Sequence, residues 1–367
     1  MSLITFSDLY NAAINRCAQD ASDSTLVGYV KDWLNLRYKE ICSWARWPWL
    51  QDNQTIRMIA EYTTGTVDCT TLTTSVTGSS TVWTKAMTDR KFKFDDFDET
   101  YRIAQWSSAT GIVLANTYNG DTIDDGTYTI FQDEYLCPIT WREIKNIRDL
   151  RNGNKLEFVA LNVLRAENPN SYPEDSDPEQ YSILETRDVT RIDIDNISGT
   201  FTTSDRVDCV NDDATTAYGN VKKVGSDYLY IQILYGTFKD NGSLTGSDSS
   251  ATADVNEPNG YTEGNIGGVL KVIFNPAPYR NILYDCEIIK KPVDLSEDTD
   301  EPLVPEEYRD SIFYLTVADI YDYLKDSQNR DRWEAKGQSR VLQMINKYRH
   351  QMGNPRIRSA YPRTKYV

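Results

Sequence analysis

The sequence predicts an α+β chain: an antiparallel helical bundle built from both chain ends, two inserted small antiparallel β-barrel or sandwich domains, and an extended C-terminal tail. Three observations predict it. Near both ends apolar residues recur at the helical period, as in Leu26, Val30, Trp33, Leu34, Ile41 and Trp44. Between them lie two stretches rich in Thr, Val, Ile, Tyr and Gly, in strand-length runs broken by turn residues. The last segment, Gly353 to Val367, carries Arg and Lys, two prolines and no acidic residue. The expected segmentation is a helical framework at 1–54 and 269–352, with a strand hairpin at 269–293. A first β-domain occupies 55–135, a mixed connection 136–190, a second β-domain 191–268 and the basic tail 353–367.

Residues Thr5 to Asp20 read as a helix with Ser7 as N-cap and Leu9, Ala12, Ala13, Arg16 and Cys17 on one face. A polar break, Asp20 to Ser24, precedes a longer helix from Thr25 to Ala45. Trp47-Pro48-Trp49-Leu50 stops it: proline forbids continuation, and the tryptophans supply large area to plug the end of a helical core. From Thr55 to Gln132 six short strands are expected, at 66–69, 81–84, 91–94, 101–104, 111–114 and 128–131, with Gly120-Asp121 and Asp125-Gly126 as turns. The mixed connection holds a short helix from about Glu157 to Ala166 and a proline-punctuated loop to Pro178.

The second β-rich block, Arg191 to Val255, contains an internal echo. Ser198-Gly199-Thr200-Phe201 and Tyr235-Gly236-Thr237-Phe238 each precede a polar turn. The chain returns through strands near Val269–Phe274 and Tyr284–Ile289 into a helical hairpin at Leu303–Met352. Pro305, Glu306 and Glu307 suit a helix start. Phe313, Val317, Ile320 and Leu324 form one face; after the turn at Lys325–Asn329, Trp333, Gly337, Val341, Met344, Ile345 and Tyr348 form the next. Gly353 and Pro355 stop the helix.

Composition narrows the function. The 367 residues suffice for two or three domains, and the net charge of −16 disfavours contact with nucleic acid wherever charge is not segregated. It is segregated: from Lys336 to Val367 every charged residue is Lys or Arg. No run approaches the roughly 18 apolar residues of a membrane helix, and the first residues lack the charged flank and long apolar run of a secretory signal. Six cysteines lie far apart with no CxxC, and the single histidine is His350. That arrangement lacks zinc spacing and a dense disulfide framework and predicts buried reduced thiols in a protein made in a cytosol. The acidic groups Asp95/Asp96/Asp98/Glu99, Asp193/Asp195 and Asp121/Asp124/Asp125 do not match a calcium loop. GxSxG, HExxH, Walker and GxGxxG motifs are absent, so no enzyme, cofactor or metal is expected.

Three pieces together resemble the bacteriophage head-to-tail adaptor (connector) family, which forms a ring beneath the portal. They are YVKDWLNLRYKEICSWARWPWL (Tyr29 to Leu50), VIFNPAPYRNILYDCEIIKKPVDLSEDTDEPLVPEEYRDSI (Val272 to Ile312) and IYDYLKDSQNRDRWEAKGQSRVLQMINKYR (Ile320 to Arg349). The first β-block is similar to β-modules of virion tail proteins, and two β-insertions set this chain apart from all-helical adaptors. The resemblance implies a homo-oligomeric ring, commonly twelve-fold, in the virion neck and in the host cytoplasm during assembly. The expected partners are the portal protein, a tail nozzle or tail-tube protein, and tail fibres on the β-insertions. Genomic DNA would pass through the lumen without sequence-specific binding, and no membrane is involved. Portal binding would fall to Arg356, Ile357, Arg358, Tyr361, Arg363, Lys365 and Tyr366. Ring and helix packing would fall to Trp33, Trp44, Trp47, Trp49, Phe313, Leu324, Trp333 and Met344. The alternative is a glycan- or fibre-binding tail protein whose β-blocks stack sugars on Trp83, Trp106 and Tyr118.

Overall fold

The computed structural model describes residues 3–349, apart from 170, 171, 174, 175, 187, 188, 204, 257–264, 267 and 268. The proposed portal-binding residues from Arg356 to Tyr366 lie outside the described residues, as does His350. The chain divides into two units, one of Met1–Asp52 with Ile289–Val367 and one of Asn53–Ile288. Among the described residues there are five α-helices: α1 (Phe6–Arg16), α2 (Ser24–Trp44), α3 (Leu161–Glu167), α4 (Asp310–Tyr323) and α5 (Ser327–Tyr348).

The first unit is helical. Thr5, rather than Ser7, caps α1, because Asp8 completes a reciprocal box: Asp8 N–H donates to Thr5 Oγ1, and Thr5 N–H donates to the Asp8 carboxylate, both at 3.2 Å. Asp23 caps α2 by accepting from Thr25 and Leu26 N–H. Leu9, Ile14, Val30, Leu34, Ile41, Ile312, Leu315, Val341 and Met344 form one core from segments at both chain ends. Each such side chain contributes roughly 1.5–3 kcal/mol when fully buried. Arg309 is buried and binds the segments together, donating to the carbonyls of Ile4 (2.5 Å), Val304 (3.1 Å) and Pro302 (3.2 Å) and to Glu301 (2.9 Å). Gly337 lets α5 approach α4: a Cβ there would meet Leu315 Cδ2 and Cγ at 2.6 Å.

The second unit is built from sheets. β1 (Gln51–Arg57) enters it. β2 (Thr66–Cys69), β3 (Ser75–Ser79), β4 (Lys91–Phe94), β5 (Thr100–Ser108), β6 (Gly111–Leu114), β7 (Ile123–Gly126) and β8 (Tyr128–Phe131) form a half-barrel in the order β7-β2-β3-β6-β5-β4-β8. Alternation places Val67 and Cys69, Phe92 and Phe94, and Ile112 and Leu114 in its core. The stretch 81–84, expected as a strand, is a loop that delivers Trp83 to that core instead. β9 (Glu134–Leu136), β10 (Trp141–Asp149), β11 (Glu157–Phe158) and β12 (Gln180–Thr186) follow, with α3 after β11.

β13 (Val189–Ser198), β14 (Arg206–Val210), β15 (Thr216–Val224), β16 (Tyr228–Tyr235), β17 (Ser243–Gly246) and β18 (Thr252–Val255) close into a six-stranded barrel. β13 pairs with β16 from Thr190↔Ile231 to Asp193↔Tyr228, and β19 (Asn265–Ile266) adds to the edge of β13. The sequence echo has a structural counterpart. Gly199 and Gly236 both have left-handed φ, +82° and +72°, and Phe201 and Phe238 both enter the barrel core. Asp205, fully buried, accepts from the N–H groups of Thr202 (2.8 Å), Ser249 (2.9 Å) and Asp248 (3.2 Å). β20 (Val269–Asn275) and β21 (Leu283–Lys290) complete two further sheets, β11-β12-β20-β9 and β1-β21-β10.

These sheets correct the expected fold class. The protein is α+β but mostly β-sheet, with a closed six-stranded barrel and a half-barrel; it is not a helical bundle built from both chain ends with β-insertions hung on it. The strands at 269–288 group with the sheets. The mixed connection likewise supplies strands β10 and β12, and its helix starts only at Leu161. The physical reason is the reach of each signal. A helix such as α2 displays its period over 21 contiguous residues, whereas β9 pairs with β20, a partner far along the chain, and local pattern does not encode that pairing.

Two outcomes test this packing. Gly337→Val forces Leu315 aside and is expected to cost the helical unit about 1–3 kcal/mol, seen as an earlier loss of helical signal in a urea titration; an unchanged midpoint contradicts the close approach. Asp205→Asn is expected to cost about 1.5–3 kcal/mol at neutral pH. Burial raises the Asp205 carboxyl, but bonds from Ser249, Thr202 and Asp248 outweigh it and hold the group below the ordinary aspartate value. Its stabilisation is therefore present above the unfolded-state aspartate value, about pH 4, and is lost as pH falls through the lower folded value. The gap between wild-type and variant urea midpoints should narrow in acid; a gap independent of pH contradicts the charge-based account.

Candidate functional site

Helix α2 carries two apolar stripes. Leu26, Val30, Leu34, Ile41 and Cys42 are buried in the helical core. Beside them, Tyr29, Trp33 and Leu36 recur at i, i+4 and i+7 and so share a second face. Tyr29 is 44% exposed and Leu36 62% exposed, while Trp33 is partly buried. Tyr323, the last residue of α4 and 54% exposed, completes a three-ring cluster. Ring centroids are 6.0 Å apart for Tyr29–Trp33, 6.0 Å for Tyr29–Tyr323 and 5.8 Å for Trp33–Tyr323. Aromatic clusters that expose large, stiff rings are typical anchors of protein–protein contacts, since they bury area at little loss of side-chain freedom.

An ion pair one turn away holds the cluster in register. Arg37 Nε and Nη2 donate to the Asp319 carboxylate at 2.8 and 2.6 Å, and Arg37 Nη1 donates to Glu40 at 2.7 Å. Trp33 meets Tyr323 and Arg37 meets Asp319, so α2 and α4 run antiparallel along this seam. Burial pushes the Asp319 carboxyl up, with Arg37 opposing, while the bonds that Arg37 donates to Asp319 hold its guanidinium above its ordinary value. The fork-to-carboxylate geometry fixes orientation as well as charge. The chemistry offered is recognition through aromatic area.

The expected packing residues fall into three groups. Trp47, Trp333 and Met344 are buried in the helical core, and Trp47 donates its indole N–H to the Ile41 carbonyl at 2.8 Å. Trp33, Trp44, Trp49 and Phe313 are partly buried against that core. Leu324 departs from its expected face: it is the C-cap of α4 and 39% exposed, because the helix ends before that turn is complete. Tyr29, Leu36 and Tyr323 were not among the expected site residues, although the i, i+4, i+7 spacing of the α2 members was legible in the sequence.

The sugar-stacking residues are not assembled on a surface. Trp83 and Tyr118 are buried in the half-barrel core, with Trp83 Nε1 donating to Tyr128 Oη at 2.9 Å. Trp106 is partly buried and donates to the Trp83 carbonyl at 3.0 Å. The six cysteines are buried and none is in a disulfide. Burial raises the thiols of Cys17 and Cys209 to about 11 and that of Cys286 to about 12, which leaves them protonated at neutral pH.

No family model and no curated protein matches this chain. Among solved structures, the flagellar hook junction protein FlgK from Burkholderia pseudomallei aligns at 7% identity, covering 89% of this chain and 59% of that one, with a TM-score of 0.10. The chain thus spans under two thirds of that structure, and a likeness of this level carries no argument about fold or function.

Proposed function

We propose that the chain is a structural virion protein, a head-to-tail adaptor that forms a homo-oligomeric ring joining the portal to the tail and continuing the DNA channel. The observation that carries this reading is the exposed aromatic face of α2 and α4. It lies within the two helical stretches, Tyr29–Leu50 and Ile320–Arg349, that resemble the adaptor family, and it offers a second copy of the chain a ready contact. Ring copies, twelve in the family's common arrangement, would meet through this face. The basic tail, with Arg356, Ile357, Arg358, Tyr361, Arg363, Lys365 and Tyr366, would order on the portal, and an extended segment of this kind can wrap a large surface. The β-unit would meet the tail nozzle, tail tube or fibres.

Charge supports the same reading. An acidic chain repels the phosphates of passing DNA and discourages it from sticking to the channel wall. Part of the basic excess in α5 is matched, by Arg340–Asp310 and Lys347–Glu307. The glycan-binding alternative is weakened, since Trp83 and Tyr118 have no face free for a sugar.

Mass measurement and negative-stain microscopy, with and without purified portal, test the proposal. Rings are expected on the portal, and removal of 353–367 should abolish portal binding while leaving the chain folded. Trp33→Ala combined with Tyr29→Ser should weaken self-association by about 2 kcal/mol or more, about thirtyfold in the association constant. A chain that stays monomeric alone and on the portal, or a truncation that binds portal normally, overturns the proposal.

A further inference from the structure

The β-unit contains a cavity of about 480 Å³ where the half-barrel, the closed barrel and the β11-β12-β20-β9 sheet converge. Five cationic side chains and three carboxylates line it. Each carboxylate already has a partner: Asp133 takes Lys91 at 2.6 Å, Glu134 takes Lys271 at 3.3 Å, and Asp89 pairs with Arg102. Arg90 and Lys222 remain. Among the described residues neither has an ion pair, and the buried Nε of Arg90 has no hydrogen-bond acceptor. A buried guanidinium N–H without an acceptor is costly in a protein interior, so its place on a cavity wall suits an anion as partner.

Strand β15 brings Lys222 to the cavity wall. On β15, Val221 pairs with Ile231 and Lys223 with Tyr230, which leaves Lys222 as the extra residue of a bulge. Lys222 keeps the alternation of the preceding strand residues, and the irregularity follows it; bulges recur beside binding sites. Val221 fills the barrel core while Asn220 and Lys222 line the cavity.

We propose that this cavity binds a small phosphate-bearing anion through Arg90 and Lys222. Such an anion brings two charges and several acceptor oxygens, matching a guanidinium fork and an ammonium. The volume lies in the range of small-molecule sites, which leaves room for a phosphate monoester as well as for the free ion. Burial lowers both Arg90 and Lys222 from their ordinary values, so the charged forms are held at a penalty that an anion would relieve. This site is independent of ring formation.

Isothermal titration of the full chain with inorganic phosphate and with dAMP, at fixed ionic strength set by sodium chloride, tests the proposal. Saturable one-to-one binding is expected with at least one probe, weakened tenfold or more in Arg90→Gln and in Lys222→Gln. Lys239→Gln, at a surface pair with Asp213, should bind as wild type does. Tighter binding of dAMP assigns a phosphate monoester, and equal binding assigns the free anion. Lys222→Arg keeps the charge and should retain binding, which separates loss of the site from loss of the fold. Absence of saturable binding to the wild-type chain, or equal affinity in the folded Gln variants, overturns it.

Discussion

The pairing of β1 with β21 is the constraint on which the remainder of the chain depends. These strands are the first and last of the β-unit, and they lie side by side in one sheet. The chain therefore leaves that unit next to where it entered, with Asp52 and Lys290 in an ion pair at 2.9 Å. Bringing two distant segments together costs on the order of 5 kcal/mol in closure entropy for a loop of this length. Once the sheet has met that cost, α1 and α2 find α4 and α5 within reach. The shared core and the buried Arg309 then hold α1, α2, α4 and α5 together.

Legibility in the sequence followed the range of the interaction. Leu26, Val30 and Leu34 announced their helix through local period, and Trp333, Gly337, Val341 and Met344 announced α5 in the same way. The alternation of Phe92 and Phe94 and the doubled Gly-Thr-Phe turn were equally local, and both appear in the β-cores. The predominance of sheet was not legible, because β9, β12 and β20 pair across distances over which no periodicity runs. Trp83 shows the limit from another side. Its segment has strand composition, yet its tertiary contacts make it a loop whose ring fills the half-barrel.

The candidate surfaces divide the same way. Tyr29, Trp33 and Leu36 share a helical face that spacing alone shows, but only the fold brings Tyr323 to them and exposes the group. Arg90 and Lys222 come from different barrels and carry no motif; only the fold brings them to one cavity. The chain thus separates two kinds of chemistry, aromatic area on the helical unit and an unbalanced cationic cavity in the β-unit. The first serves assembly in our account, and the second serves a small anion.

The central claim is that the α2–α4 aromatic face meets a second copy of this chain. Placing a photoreactive amino acid at Leu36, exposed and on that face, and irradiating the portal-bound protein tests it most directly. The account predicts a crosslink from Leu36 to another copy of the chain, lost when Trp33 is replaced by Ala. Crosslinks only to portal or tail proteins, or none at all in assembled particles, would contradict it.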